Sequence, residues 1–374
     1  MCKTARKFSH RERLKSSHEK RPERSMRILA AASALPKHYY PQNELIDAFR
    51  KHWGKRLERF GILERLHAAT QVDGRFLALP LSEYPLKSWG HANDRWIEAS
   101  LELGERAVCR AVTRAGIDAK DIGAIFFVSI TGIASPSIEA RLINRMGLSN
   151  RMKRMPIFGL GCVAGAAGIA RAADYVRAFP KEACLVLSVE LCSLTVQQDD
   201  LSAANLISTG LFGDGAAAAI VAGRDCAGGD GPTIVATRST LYTDTERVMG
   251  WDISEKGFQI VLSREVPDVI RQNLGKDVDE FLAEQGLGRT DIRSWVIHTG
   301  GPKVLEATQD ALGLQNGELQ VSWDCLRRTG NLSSASVLLV LEEVLENHRP
   351  ATGTWGLLAA MGPGFCSELV LFQG

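Results

Sequence analysis

Seven segments of this chain are apolar almost without a break: AIFFVSI (124–130), CLVLSVEL (184–191), AAAAIVAG (216–223), TIVATRSTL (233–241), SWVIHTG (294–300), WGLLAAM (355–361) and SELVLF (367–372). Runs of that length without polar alternation are strands covered on both faces. Helical patterns lie between them at 97–115, 162–179, 266–285 and 334–347. Strands alternating with helices predict α/β layers. The Gly- and Asp-rich stretch RDCAGGDGP (224–232) divides the body into two parts of similar content. The expected organisation is therefore a duplicated core, with one half at 26–225 and the other at 226–374.

A chain of 374 residues can bury a large core without covalent staples. Its eight cysteines are scattered and include no C-x-x-C pair, which argues against a zinc module or a disulfide framework and fits a reducing cytoplasm. No metal site is expected. The net charge of +2 is unevenly spread. The first 25 residues hold nine of the 45 basic and three of the 43 acidic residues, leaving the rest at −4. That arm reads as a solvated, disordered tail, and the body shows no basic patch for nucleic acid. The following MRILAAASALP (26–36) mimics a secretion signal. Its apolar run is short and Pro36 closes it, so a buried first strand is expected, and Met26 is a candidate start. No stretch is apolar for the roughly 18 residues that a membrane crossing needs.

FGLGCVAG (158–165) sets one cysteine among glycines and small residues. RMPIF before it fits a strand, and VAGAAGIARAADYVRAF after it fits a helix that Pro180 stops, with Arg171, Asp174 and Arg177 as its wet stripe. Cys162 thus stands at a strand-to-helix turn, where unpaired N–H groups favour a thiolate. Gly159 and Gly161 permit the turn. The glycine spacing is one residue too long for a dinucleotide fingerprint. Far downstream, VIHTGGPKVL places His298 just past a strand, and RRTGNLSSASVLLVLEEV places Asn331 in a turn that opens a helix. A thiol, an imidazole and a carboxamide suffice to form a thioester and then stabilise an enolate oxygen.

FGLGCVAGAAG, LFGDGAAAA, HTGGPKV, GNLSSAS and AMGPGF, in this order, resemble the type III polyketide synthases, the chalcone synthase-like branch of the thiolase superfamily. The similarity runs from Met26 to the C-terminus. Through VELCSLTVQQDDLSAANLISTGLFGDGA it leans towards bacterial members that make alkylpyrones or alkylresorcinols. The resemblance implies a five-layered α-β-α-β-α fold of two similar halves and a homodimer. It also implies acyl-CoA and malonyl-CoA as substrates, with no metal or redox cofactor. Cys162 would be the nucleophile, paired as thiolate with an imidazolium at His298. His298 and Asn331 would hold the thioester oxygen of malonyl-CoA during decarboxylation, and Phe212 would be a gatekeeper. Thr131, Cys192, Thr195 and Ser333 would line the chamber, and GPGF around Gly364 would form a cyclisation loop. Lys55, Arg56, Arg59, Arg65 and Lys303 are the candidate cations for the phosphates of CoA.

Two positions depart from the plant enzymes. A second gatekeeper aromatic falls near Ile260, and the methionine that enters the partner's chamber falls near Ser135. Both changes remove bulk, so a long aliphatic starter is expected. A β-ketoacyl synthase III that condenses once and a non-catalytic thiolase-like scaffold are the competing readings.

Overall fold

The computed structural model describes residues 25–54, 56 and 61–374; the N-terminal arm, Lys55 and Arg59 lie outside them. The strands are β1 (Arg27–Ala34), β2 (His38–Pro41), β3 (Gly74–Leu77), β4 (Ile122–Val128), β5 (Lys153–Ile157), β6 (Ala183–Leu191), β7 (Asp214–Ala222), β8 (Thr233–Leu241), β9 (Met249–Ser254), β10 (Gly257–Leu262), β11 (Ile292–Ile297), β12 (Trp355–Gly362) and β13 (Cys366–Gln373). The helices are α1 (Gln42–Trp53), α2 (Gly61–Ala68), α3 (Trp89–Ala115), α4 (Ile138–Met146), α5 (Ala164–Ala178), α6 (Ala203–Leu211), α7 (Val266–Glu284), α8 (Pro302–Leu312), α9 (Gln320–Thr329) and α10 (Ser334–Asn347).

One nine-stranded sheet runs in the order β11-β12-β13-β8-β1-β7-β6-β4-β5. A single residue pair, Arg27 with Thr233, joins β1 to β8, so the sheet is two sheets meeting at a seam. Their pairing repeats. β1 is antiparallel to β7, β7 to β6, and β6 is parallel to β4. In the second half β8 is antiparallel to β13, β13 to β12, and β12 is parallel to β11. The duplication expected from element content is thus explicit in the topology.

The apolar runs are continuous because each strand feeds two cores. Ala217, Ala219 and Val221 of β7 face one hydrophobic cluster with α5 and α10, whereas Ala216, Ala218 and Ile220 face another with α3. On β13, Val370 and Phe372 join the central cluster, while Leu369 and Leu371 pack with α7 and α8. This gives the five layers α3–sheet–α5/α10–sheet–α7. The middle layer is tight. A Cβ on Gly165 of α5 would collide with the carbonyl of Ser334 at the start of α10. MRILAAASALP supplies β1, not a leader, and Arg171, Asp174 and Arg177 form exposed ion pairs. No helix of the described residues is long and apolar enough to cross a membrane.

Outside these layers, α1, α2 and α6 pack together around Trp53, Leu63 and Leu206. His67 of α2 is fully buried there, its Nε2 3.1 Å from Thr209 Oγ1 and its Nδ1 without a partner. Burial lowers its pKa from 6.5 to about 3. The unfolded chain takes up this proton near 6.5 and the folded chain does not until about 3, so stability is full above 6.5 and declines as pH falls. By pH 5 the loss from such a site is about 2 kcal/mol. Denaturant unfolding of His67→Gln should therefore lose about 2 kcal/mol less than the parent between pH 7 and 5; an equal loss in both proteins would rule out His67 as a source of acid sensitivity.

Candidate active site

Cys162 sits in a one-turn 3-10 helix, Gly161–Val163, between β5 and α5. Gly159 and Gly161 have φ of 96° and 54°, the left-handed backbone that favours glycine. At Gly161 space is also closed: a Cβ would lie 2.8 Å from Pro363 of the GPGF loop. That loop is the turn between β12 and β13, and it packs on the nucleophile's turn.

Cys162 is 6% exposed. Its Sγ lies 3.8 Å from Ser333 Oγ. Ser333 opens α10 with φ 47° and ψ −127°, a conformation that costs energy for any residue with a Cβ. Asn331, two residues earlier, has its amide orientation fixed: Oδ1 accepts from Ser333 N–H at 2.7 Å and from Ser336 Oγ at 3.4 Å. Its Nδ2 is thereby left as the donor and gives a hydrogen bond to Gly300 O at 3.3 Å. Gly300 belongs to the turn that carries His298, so the C-terminal half delivers both groups as one unit. The backbone of Asn331 pairs in parallel with Phe212, with Asn331 N–H to Leu211 O at 2.9 Å and Gly213 N–H to Asn331 O at 3.0 Å. Phe212 and Asn331 thus share one bridge.

Burial pushes the Cys162 thiol up to about 12, against the pull of its hydrogen bonds to Ser333 and Asn331. Burial alone takes His298 down to about 4, and neither ring nitrogen has a protein partner. Burial therefore favours the thiol and the neutral imidazole. Desolvation thus works against both charges of the thiolate–imidazolium pair that the resemblance implies. Proton transfer within the site leaves its net charge unchanged, which is the route open to a thiolate here.

A cavity of about 1210 Å³ opens on the sulfur, above the usual range of about 300–1,000 Å³ for small-molecule sites. Thr131, Cys192, Thr195, Phe212, Ile260 and Ser333 line it with Cys162, as expected. His298 and Asn331, 4% and 1% exposed, do not, and neither does Ser135; Gly364 is represented by its neighbour Pro363. Among the candidate cations, Arg56 spends its guanidinium on Gln198 O and Asp199, and Arg65 bonds Gly61 O of its own helix. Lys303 is exposed on α8, away from the cavity lining. The cations that line the cavity are the buried Arg75, which donates to Phe212 O, and the exposed Lys51, Lys87 and Lys256; none of the three lysines makes an ion pair among the described residues. They come from three distant segments, so no local motif marks them.

The sequence also carried a signal that was not read. Glu190 is an acid inside the apolar strand β6. It is fully buried, with one oxygen accepting from Ile130 N–H at 3.1 Å and Thr131 Oγ at 3.0 Å, the other from Ser334 Oγ. It ties the first half to the start of α10, and burial raises its pKa.

The N-terminal domain of chalcone and stilbene synthases matches residues 14–225, and the C-terminal domain of the same family matches residues 233–374. The chain belongs to the type III polyketide synthases. It is 48% identical to a 1,3,6,8-tetrahydroxynaphthalene synthase of Streptomyces peucetius subsp. caesius, over 94% of each chain. It is 37% identical to a putative chalcone synthase of Bacillus subtilis, covering 92% of this chain and 98% of that one. In structure it is similar to the 1,3,6,8-tetrahydroxynaphthalene synthase of Streptomyces coelicolor, with a TM-score of 0.88 and 31% identity, over 93% of this chain and 99% of that one. Membership of this family of condensing enzymes sets aside both the single-condensation reading and the inert scaffold. The five-layered architecture is that of the family.

Proposed function

We propose that this type III polyketide synthase loads an acyl group on Cys162, extends it repeatedly with malonyl-CoA and closes an aromatic ring of the tetrahydroxynaphthalene type. The observation that carries the chemistry is Asn331, its carboxamide oriented by Ser333 and Ser336 beside the sulfur at the head of a large cavity. The ring type is taken from the Streptomyces peucetius relative. A naphthalene oxygenated at alternate positions is what two-carbon units joined head to tail leave behind. Decarboxylation and carbon–carbon bond formation exchange no electrons with a cofactor, so none enters the proposal. The free state of all seven described cysteines supports a reducing cytoplasm.

The size of the cavity favours a second reading: a long aliphatic starter closed to an alkylpyrone or alkylresorcinol, with Ile260 and Ser135 in place of bulkier residues. Mass spectrometry of products separates the two. Malonyl-CoA alone should yield the naphthalene product. If malonyl-CoA alone yields nothing and a long-chain acyl-CoA restores an alkyl product, the second reading replaces the first.

Lys51, Lys87 and Lys256 would hold the phosphates of the CoA thioester. Lys87→Ala combined with Lys256→Ala should raise KM for malonyl-CoA about 3- to 10-fold and leave kcat within about twofold, because such contacts act equally on ground and transition states. A fall in kcat with unchanged KM would count against that assignment.

A homodimer completes the proposal. β5 is one of the two edge strands of the sheet; Met155 on it is 47% exposed, and Ile133 and Phe158 beside it are 45% and 48% exposed. An uncovered apolar edge invites a second copy. Ser135 is absent from its own chain's cavity lining and belongs to the segment that would reach the partner. A monomer in sedimentation equilibrium would refute this.

A further inference from the structure

The β9–β10 hairpin forms one wall of the cavity, supplying Met249, Trp251, Phe258, Ile260 and Leu262. It is a two-stranded sheet of its own, paired only with itself, and such a unit is marginal without support. Apart from the ion pair of Asp252 with Arg247, which precedes β9 in the chain, the hydrogen bonds that reach this hairpin from elsewhere among the described residues come from one group. Gln197 Nε2 donates to Lys256 O at 3.1 Å and to Phe258 O at 3.0 Å. The same nitrogen reaches Thr195 O at 3.2 Å.

The next residue anchors two further walls. Gln198 Nε2 donates to Leu86 O at 2.9 Å, and Gln198 O accepts from Trp53 Nε1 at 2.7 Å and Arg56 Nη1 at 3.3 Å. The turn that holds both glutamines is itself fixed from α6, where Asn205 Nδ2 donates to Gln197 O at 2.9 Å and Asp200 O at 2.7 Å. It follows directly on Cys192 and Thr195, which line the chamber. One short turn therefore sets the spacing of the end of α1, the 81–89 segment and the hairpin around the growing chain.

We propose that Gln197 is a specificity-determining residue of this synthase: its carboxamide fixes the hairpin bearing Ile260 against the 192–198 turn and thereby sets the chamber width that decides when the chain is released. It touches none of Cys162, His298 or Asn331, so its influence is on how far extension runs, not on decarboxylation.

The test uses Gln197→Met, which keeps length and removes the donor, Gln197→Glu, which is isosteric and only accepts, and Gln197→Lys, which restores a donor. Products per malonyl-CoA consumed are resolved by mass spectrometry, and malonyl-CoA decarboxylation is followed separately. Gln197→Met and Gln197→Glu should keep decarboxylation within about twofold and raise the share of prematurely released chains by about fivefold, with Gln197→Lys within about twofold of the parent. Amide hydrogen exchange should accelerate across 249–262 in Gln197→Met and nowhere in the central helices. A parental product distribution in Gln197→Met overturns the proposal. So does a parallel loss of decarboxylation, which would report general damage. Unchanged exchange of the hairpin overturns it even if products shift.

Discussion

Replacing Cys162 with alanine should reduce polyketide formation by at least about 10³-fold while malonyl-CoA decarboxylation persists. The two steps use different parts of the site. The sulfur is needed to carry the growing chain, and nothing else reactive lies at the head of the cavity except Cys192, whose thiol burial pushes well above its ordinary range. The oxyanion donors belong to the other half of the chain. Asn331 is held by Ser333 N–H, Ser336 Oγ and the bridge to Leu211 and Gly213, all independent of the thiol. Removing Sγ costs the contacts to Ser333 and Asn331 alone among polar groups, and Asn331 keeps its other bonds, so the fold should survive. Release of CO₂ from malonyl-CoA, measured beside product formation, separates the steps. Persistent condensation would remove Cys162 from the nucleophile's role; loss of both activities in a folded protein would mean that the thiol also takes part in decarboxylation.

Asn331→Asp should cut decarboxylation by about 10²- to 10³-fold, the usual effect of losing one oxyanion donor. The geometry makes this substitution sharper than alanine. Two donors already fix Oδ1, so Nδ2 is the donor that the proposal assigns to the thioester oxygen. A carboxylate would place an acceptor where a donor is required and add a like charge to the developing enolate. At 1% exposure the aspartate would also carry an uncompensated desolvation penalty. Single-turnover decarboxylation at saturating malonyl-CoA isolates the step from binding. A rate within tenfold of the parent would show that the amide of Asn331 is not the oxyanion donor.

Much of this site was legible because its signals are local. Gly159 and Gly161 flank Cys162 in sequence and mark a turn that no other residue makes easily. Asn331 follows Gly330 at a helix start, and His298 ends a strand. The layered fold was legible for a related reason: strands buried on both faces leave nothing polar in the run, as β7 shows. What could not be read depends on contacts between distant segments. Lys51, Lys87 and Lys256 converge only after α1, the 81–89 segment and the hairpin are in place. The hairpin itself was missed, because MGWDIS and GFQIVL alternate weakly and pack on a cavity instead of a core. Arg56 looked like a ligand cation and is occupied by Gln198 and Asp199. The desolvation that opposes charge on Cys162 and His298 was not legible, because sequence shows the helix end but not the depth of burial.

The close contact between α5 and α10 at Gly165 has a consequence for how such a protein diversifies. There the spacing between the halves is dictated by main-chain atoms, which mutation does not alter, so the reacting groups ride on a frame that tolerates almost no change. The chamber wall, in contrast, is joined to the 192–198 turn by the side-chain amide of a single half-buried residue, Gln197. Chemistry and product choice are thus inherited through separate parts of the molecule, and a lineage can explore new products without first risking the reaction that makes them.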